Sequence, residues 1–361
     1  MGKNISAYIG CFLGLAVGDA MGYTVDEMSW EKICENYGPN GLLGYDMKED
    51  YAQVTSYTQI AAFVANGLLL GVTRGRRSEY LKFITLALRE WYKRQHFPRS
   101  PDKSWCWVAQ KPELRRRCCR DAWMMDALRF EQLGTPEKPI NNSDSPGAIT
   151  AAAAIALFYD PRRLEPEQIG ELTLKTLSMT HGDPDAFLSG IVLAYALAGI
   201  LQEPERELKD QFLQAAEVMD GQFRERFPQA SKVASSVKVT VQLALTDEAQ
   251  HRNNIEQLHC QSASECLCGA IYASMVCPED FDEAMILAVN HSGRSGAVAA
   301  ITGAILGAKL GQEALPDFYL ESLEPIDVLR ELAQDLAVGS PAKGLFDHSW
   351  DQKYTQGMPL Q

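Results

Sequence analysis

Runs that alternate apolar and polar residues are scarce in this chain of 361 residues. The one short candidate, Ser236-Val-Lys-Val-Thr-Val-Gln-Leu, lies between helical segments and fits a helix carrying β-branched residues. A sheet-built fold is therefore excluded, and the lack of any fixed-period repeat excludes a solenoid. Positive charge is also in short supply: 34 Lys+Arg face 47 Asp+Glu, a formal net charge of −13. Phosphate backbones are repelled by such a surface, so no nucleic-acid role is expected, although a local basic pocket stays possible. Zinc-type cysteine spacing is missing too. The nine cysteines are scattered, Cys118-Cys119 and Cys266-Leu-Cys268 lack ligand spacing, and several sit in apolar helical runs. They read as reduced core thiols, which points to a cytoplasmic protein.

What is present is helix after helix. With 46% hydrophobic and 22% charged residues the chain can bury a large core. Apolar periodicity predicts helices over 4–22, 58–73, 78–95, 115–133, 148–158, 165–180, 184–201, 206–222, 229–245, 260–275, 279–290, 296–310 and 324–337. The stretch 96–112 reads as a surface connection, 134–146 as a Pro/Asn/Ser loop, and the tail 341–361 as a surface segment after one domain spanning 1–340. The N-terminal run is not read as a signal peptide: Asp19 interrupts it, and glycines at 10, 14, 18 and 22 give the small-residue face that helix packing needs. No other segment is expected to approach a membrane span, and Gly2 with Ser6 fits only a permissive lipidation pattern, so no membrane partner is expected.

Four motifs stand out in order. They are Gly10-Cys-Phe-Leu-Gly14-Leu-Ala-Val-Gly18-Asp19-Ala-Met-Gly22; Thr55-Ser56-Tyr57-Thr58-Gln59; Thr180-His181-Gly182-Asp183-Pro184; and His291-Ser-Gly293-Arg294-Ser-Gly296-Ala297, followed by Val-Ala-Ala-Ile-Thr-Gly303-Ala-Ile-Leu-Gly307. Together they resemble the (ADP-ribosyl)hydrolase family, also called ADP-ribosylglycohydrolases, across nearly the whole chain. The resemblance implies a compact, orthogonally packed all-α bundle and an activity resting on Mg²⁺ held by acidic residues.

Those acids are largely replaced. Where the family reads Ser/Thr-Asp-Asp-Thr-Gln, this chain has Thr55-Ser56-Tyr57-Thr58-Gln59. Where it reads Gly-Gly-Asp-Thr-Asp-Thr, Arg294 and Gly296 replace the aspartates and Ala297 a threonine. Mg²⁺ prefers octahedral oxygen donors, and a permanent cation is the least compatible substitute. The degenerate positions Thr55, Ser56, Tyr57, Gly296 and Ala297 thus predict no bound metal and no other cofactor. A carboxylate survives near the family's catalytic acid as Asp26 or, with a one-residue slip, Glu27. Arg294 is expected either to occupy the metal's space against Asp19 or Asp26, or to point to solvent.

The resemblance assigns ligand binding to Asp19, Ser143, Ser145, Gly147, Ala148, His181 and Arg294. In the loop Asn142–Ile149, backbone N–H groups would receive a diphosphate. Pro146 removes one donor there, and the family's Met-Arg becomes Thr150-Ala151. The basic run Arg115–Arg120 reads as a solvated helix face. Asp183 and Pro184 are explained as N-cap and N1 of a helix. The expected function is a metal-free, catalytically impaired relative that binds ADP-ribose, an ADP-ribosylated protein, or a toxin as an immunity factor. The alternative is an active hydrolase removing ADP-ribose from protein side chains by a metal-independent route.

Overall fold

The computed structural model describes residues 3–47, 50–75, 79–99, 104–160, 164–246, 250–339 and 348–354. Its α-helices run α1 (Ile5–Gly22), α2 (Trp30–Tyr37), α3 (Ser56–Thr73), α4 (Tyr80–His96), α5 (Ala122–Ala127), α6 (Ala151–Phe158), α7 (Pro166–Leu177), α8 (Pro184–Gln202) and α9 (Leu208–Phe223). They continue as α10 (Gln229–Leu245), α11 (His251–Gln257), α12 (Ala263–Val276), α13 (Phe281–Val289), α14 (Ser295–Leu310), α15 (Asp317–Leu320), α16 (Ile326–Val338) and α17 (His348–Tyr354). No strand occurs among the described residues, and 236–243 belongs to α10.

The fold is centred on α1 and α14, both apolar around nearly their whole circumference and buried along their length. Their glycines face one another, Gly10 against Gly307 and Gly14 against Gly303, so the two backbones touch. Around this pair pack α16 on the α1 side and α8, α12 and α13 on the α14 side, with α3 touching both. The ends follow ordinary capping chemistry. The Asp183 side chain accepts from the Asp185 N–H ahead of Pro184, and Ser262 with Glu265 forms a capping box on α12.

Several sequence expectations need correction. Residues 115–121 are not helical; only the six-residue α5 forms in the predicted 115–133 helix. Buried Gln59 and Gln95 capture this backbone from the side: both amides donate to the Arg116 carbonyl, and Gln95 Oε1 accepts from the Cys118 and Cys119 N–H groups. The Arg115–Arg120 run is thus no helix face. The 96–112 connection is not simply a surface one, since Cys106, Trp107, Val108 and Ala109 are buried. The tail is not all surface either: in α17, Trp350 and Tyr354 are buried, with Trp350 Nε1 donating to Thr73 Oγ1 and the Tyr354 hydroxyl to Asp335. Residues 341–347 and 355–361 lie outside the described set. A second helix, α8, matches α1 in being long and apolar enough to cross a membrane, but both lie mostly inside the protein. All nine cysteines are free, six of them buried.

Candidate active-site cleft

The start of α3, the start of α14, the end of α1 and the 118–121 and 145–147 segments converge on one cleft. Its lining contains Asp19, Asp26, Thr55, Ser56, Tyr57, Ser145, Gly147, Arg294 and Gly296, residues far apart in sequence. Its free volume is about 20 Å³, room for about one water molecule.

Asp19 is completely buried beneath the first turn of α3. Its Oδ2 accepts from the Thr55 N–H (2.8 Å), the Thr58 N–H (2.9 Å) and the Thr58 hydroxyl (2.6 Å), while Oδ1 accepts from the Thr55 hydroxyl (2.5 Å). Burial pushes this carboxyl above its ordinary range, and the four donors pull it back. A carboxylate has about four acceptor positions, so none is left over for a ligand. Asp19 is the anion that caps α3.

Tyr57 follows on the same turn, and its carbonyl accepts from the Thr150 hydroxyl (2.6 Å). Its ring lies over Gly296, where a β-carbon would stand 3.2 Å from Tyr57 Cε2 and 3.5 Å from Asp26 Oδ1. The two replacements are matched: a bulky ring on one helix covers a position stripped of its side chain on the other. Burial, with the Asp26 charge beside it, raises the phenol far above its ordinary value and keeps it neutral.

Asp26 accepts from the Gly296 N–H at 3.0 Å. Burial raises its carboxyl to about 6, against the opposing pull of that N–H, Arg294 and Arg120. Glu27 has a positive φ of 63°, uncommon for a non-glycine residue, and its N–H donates to the Gly293 carbonyl (3.0 Å). This turns the Glu27 side chain to Arg294, whose Nη1 lies 2.7 Å from Glu27 Oε1. Arg294 therefore neither pairs with Asp19 or Asp26 nor projects into solvent. It lines the cleft, ion-paired to Glu27, with a buried Nε–H that has no acceptor.

The expected anion loop is arranged differently. The Ser145 N–H donates to Ser143 Oγ and the Gly147 N–H to Ser145 Oγ, while the Ser145 hydroxyl donates to Asp121 Oδ2 (2.6 Å). A β-carbon on Gly147 would stand 2.0 Å from that same Oδ2. The Asp121 carboxylate thus sits where the loop was expected to receive phosphate. His181 is fully buried behind it: Nε2 lies 3.1 Å from Asp121 Oδ2 and Nδ1 2.8 Å from Thr180 Oγ1. A neutral ring protonated on Nε2 satisfies both contacts. Burial would raise the Asp121 carboxyl, but His181, Ser145 and the Met124 N–H hold it well below the usual range. Ser143, Ala148 and Ala297 are buried beside the cleft without lining it.

Tyr23, Cys118, Arg120 and Asp121 line the cleft unforeseen. Asp121 had a local signal, an N-cap acid three residues before a Met-Met pair, and its side chain does accept from the Met124 N–H. The other three carry none.

The donors present do not fit Mg²⁺. The positions that the resemblance assigns to four acids hold a hydroxyl, a neutral phenol, a guanidinium and a glycine. The surviving Asp19 and Asp26 already accept protein hydrogen bonds. Among the described residues no cluster of three His, Cys, Asp or Glu is placed to hold an ion.

An all-helical bundle with this cleft at the ends of α1, α3 and α14 defines a class. The ADP-ribosylglycohydrolase family profile matches residues 2–344, so the chain belongs to that family. A protein of Archaeoglobus fulgidus described as "Uncharacterized protein" is 26% identical over 335 residues, covering 90% of this chain and 94% of its own length. A solved structure titled "ADP-ribosylglycohydrolase-related protein complex" superposes with a TM-score of 0.61 at 22% identity, over 94% of this chain and 99% of that one, and supports the fold.

The Asp26 carboxyl is expected to titrate near 6, and Arg294→Gln to move that midpoint upward by removing a neighbouring cation. Because the folded value lies above the ordinary 3.8, this group favours the folded state most at acid pH, and that contribution is lost as pH rises through about 6. Carboxyl NMR titration of wild type and Asp26→Asn checks this; a midpoint near 4 contradicts it.

Proposed function

We propose that this chain is a metal-free, catalytically impaired member of its family that acts by binding an ADP-ribose-type ligand, free or attached to a protein. The observation that carries the loss of catalysis is the matched Tyr57–Gly296 contact, which fills the position of two missing acids. Without a metal the cleft loses a Lewis acid and a polarised water, together worth several kcal/mol in the transition state. Binding is supported by the charges that remain. A cleft filled only for packing gains stability from apolar residues, since buried ions are costly. This one keeps the partly buried Asp26, Asp121 and Arg294 in its walls, together with the exposed Arg120. With about 20 Å³ free, ligand entry requires the Tyr57 ring or the Glu27–Arg294 pair to move.

The test is incubation with proteins ADP-ribosylated on Arg, Ser and Asp, with and without Mg²⁺. No ADP-ribose release is expected in either condition. Thermal-shift titration with ADP-ribose should raise the melting temperature, a ligand at about 100 times its Kd adding about 2.7 kcal/mol. Release abolished by a chelator overturns the proposal, as does the absence of any shift.

A further inference from the structure

Each carboxylate at this cleft already has a partner inside the protein. Asp19 has the two threonines, Asp26 the Gly296 N–H, Asp121 has His181 and Ser145, and Glu27 has Arg294. The cations are less complete. Arg120 lines the cleft with its guanidinium 4.5 Å over the Tyr23 ring, and no carboxylate pairs with it among the described residues. Arg294 keeps a buried Nε–H without an acceptor. Arg116, four residues before Arg120, is by contrast tied to Glu324 at 2.8 Å. The Arg120 backbone is anchored on both sides, by Gln95 on Cys118 and Cys119 and by Asp121 at the start of α5.

We infer that Arg120 and Arg294 form an anion clamp that takes a phosphate group of the bound ligand, in a cleft whose 145–147 loop already holds the Asp121 carboxylate. Stacking on Tyr23 holds the Arg120 fork in place before binding, so little freedom is lost when it pairs. Phosphate suits two guanidinium groups because it offers several acceptor oxygens and accepts bidentate donation. The inference rests on the proposed recognition of an ADP-ribose-type ligand, and commits that ligand to contact through its diphosphate.

Isothermal titration of wild type, Arg120→Ala and Arg120→Lys with ADP-ribose, inorganic pyrophosphate and adenosine separates the possibilities. Arg120 is exposed, so the variants should melt like wild type. Arg120→Ala is expected to weaken ADP-ribose and pyrophosphate by about tenfold or more, as loss of a charge-assisted hydrogen bond does, with Arg120→Lys intermediate and adenosine unaffected. Unchanged ADP-ribose affinity in Arg120→Ala overturns the clamp and leaves the proposed ligand standing. Pyrophosphate binding that depends on Arg120 without ADP-ribose binding rejects the ligand and keeps the clamp. If wild type binds none of the three, both fall.

Discussion

Replacing Gly14 or Gly303 by alanine is expected to lower stability by about 3 kcal/mol or more, the upper end of what overpacking a core costs. A β-carbon on Gly14 would stand 2.1 Å from the Gly303 carbonyl oxygen, and one on Gly303 2.0 Å from that of Gly14. The obstacle in each case is backbone, so no side chain can rotate away; α1 and α14 must separate. Separation would uncover the apolar face that the two helices share, and would pull Gly22 from Gly296, where the cleft begins. Gly221 provides the contrast. It lies on an exposed face of α9 with nothing within 4 Å of an added β-carbon, so Gly221→Ala should stabilise by about 0.5–1 kcal/mol through helix propensity. Urea unfolding of the three variants reads both signs in one experiment. Equal midpoints for Gly14→Ala and wild type would mean that the helices are not in backbone contact.

That contact was legible in the sequence, because glycines four residues apart on two apolar segments have little reason to recur except to let helix axes approach. The same segments carry Asp19, Ser56, Tyr57, Arg294 and Gly296, which line one cleft. The irregular 115–121 segment of the wall was not legible. Its helical periodicity is genuine, but Gln59 and Gln95 reach it from α3 and α4 and take its backbone hydrogen bonds, a non-local event that no window along the chain can register. Arg120 and Asp121 were lost with it. The partner of Arg294 was missed for a conformational reason. The left-handed backbone at Glu27 turns that side chain, and not Asp26, toward the guanidinium. Asp19 was unavailable to Arg294 because its oxygens serve the start of α3.

The role of Asp19 leads to the second large effect. Asp19→Ala is expected to destabilise the protein by about 4 kcal/mol, since it strands two backbone N–H groups and two hydroxyls in a fully buried place, each costing about 1–3 kcal/mol if unmet. The hydroxyls can turn toward other acceptors; the N–H groups of Thr55 and Thr58 cannot. Asp19→Asn should cost much less, about 1–2 kcal/mol. Both N–H donors converge on Oδ2, so an amide oxygen there still accepts them, and the amide nitrogen at the Oδ1 position donates to Thr55 Oγ1 once that hydroxyl rotates. A ligand or metal role predicts a different pattern: both variants would lose binding and both would keep their stability, because a residue held for an absent partner is easily spared in the free protein. Denaturation midpoints of the two variants, measured without ligand, therefore separate a helix-capping carboxylate from a binding one. Alanine far below asparagine supports the cap, and two wild-type midpoints would return Asp19 to the binding machinery.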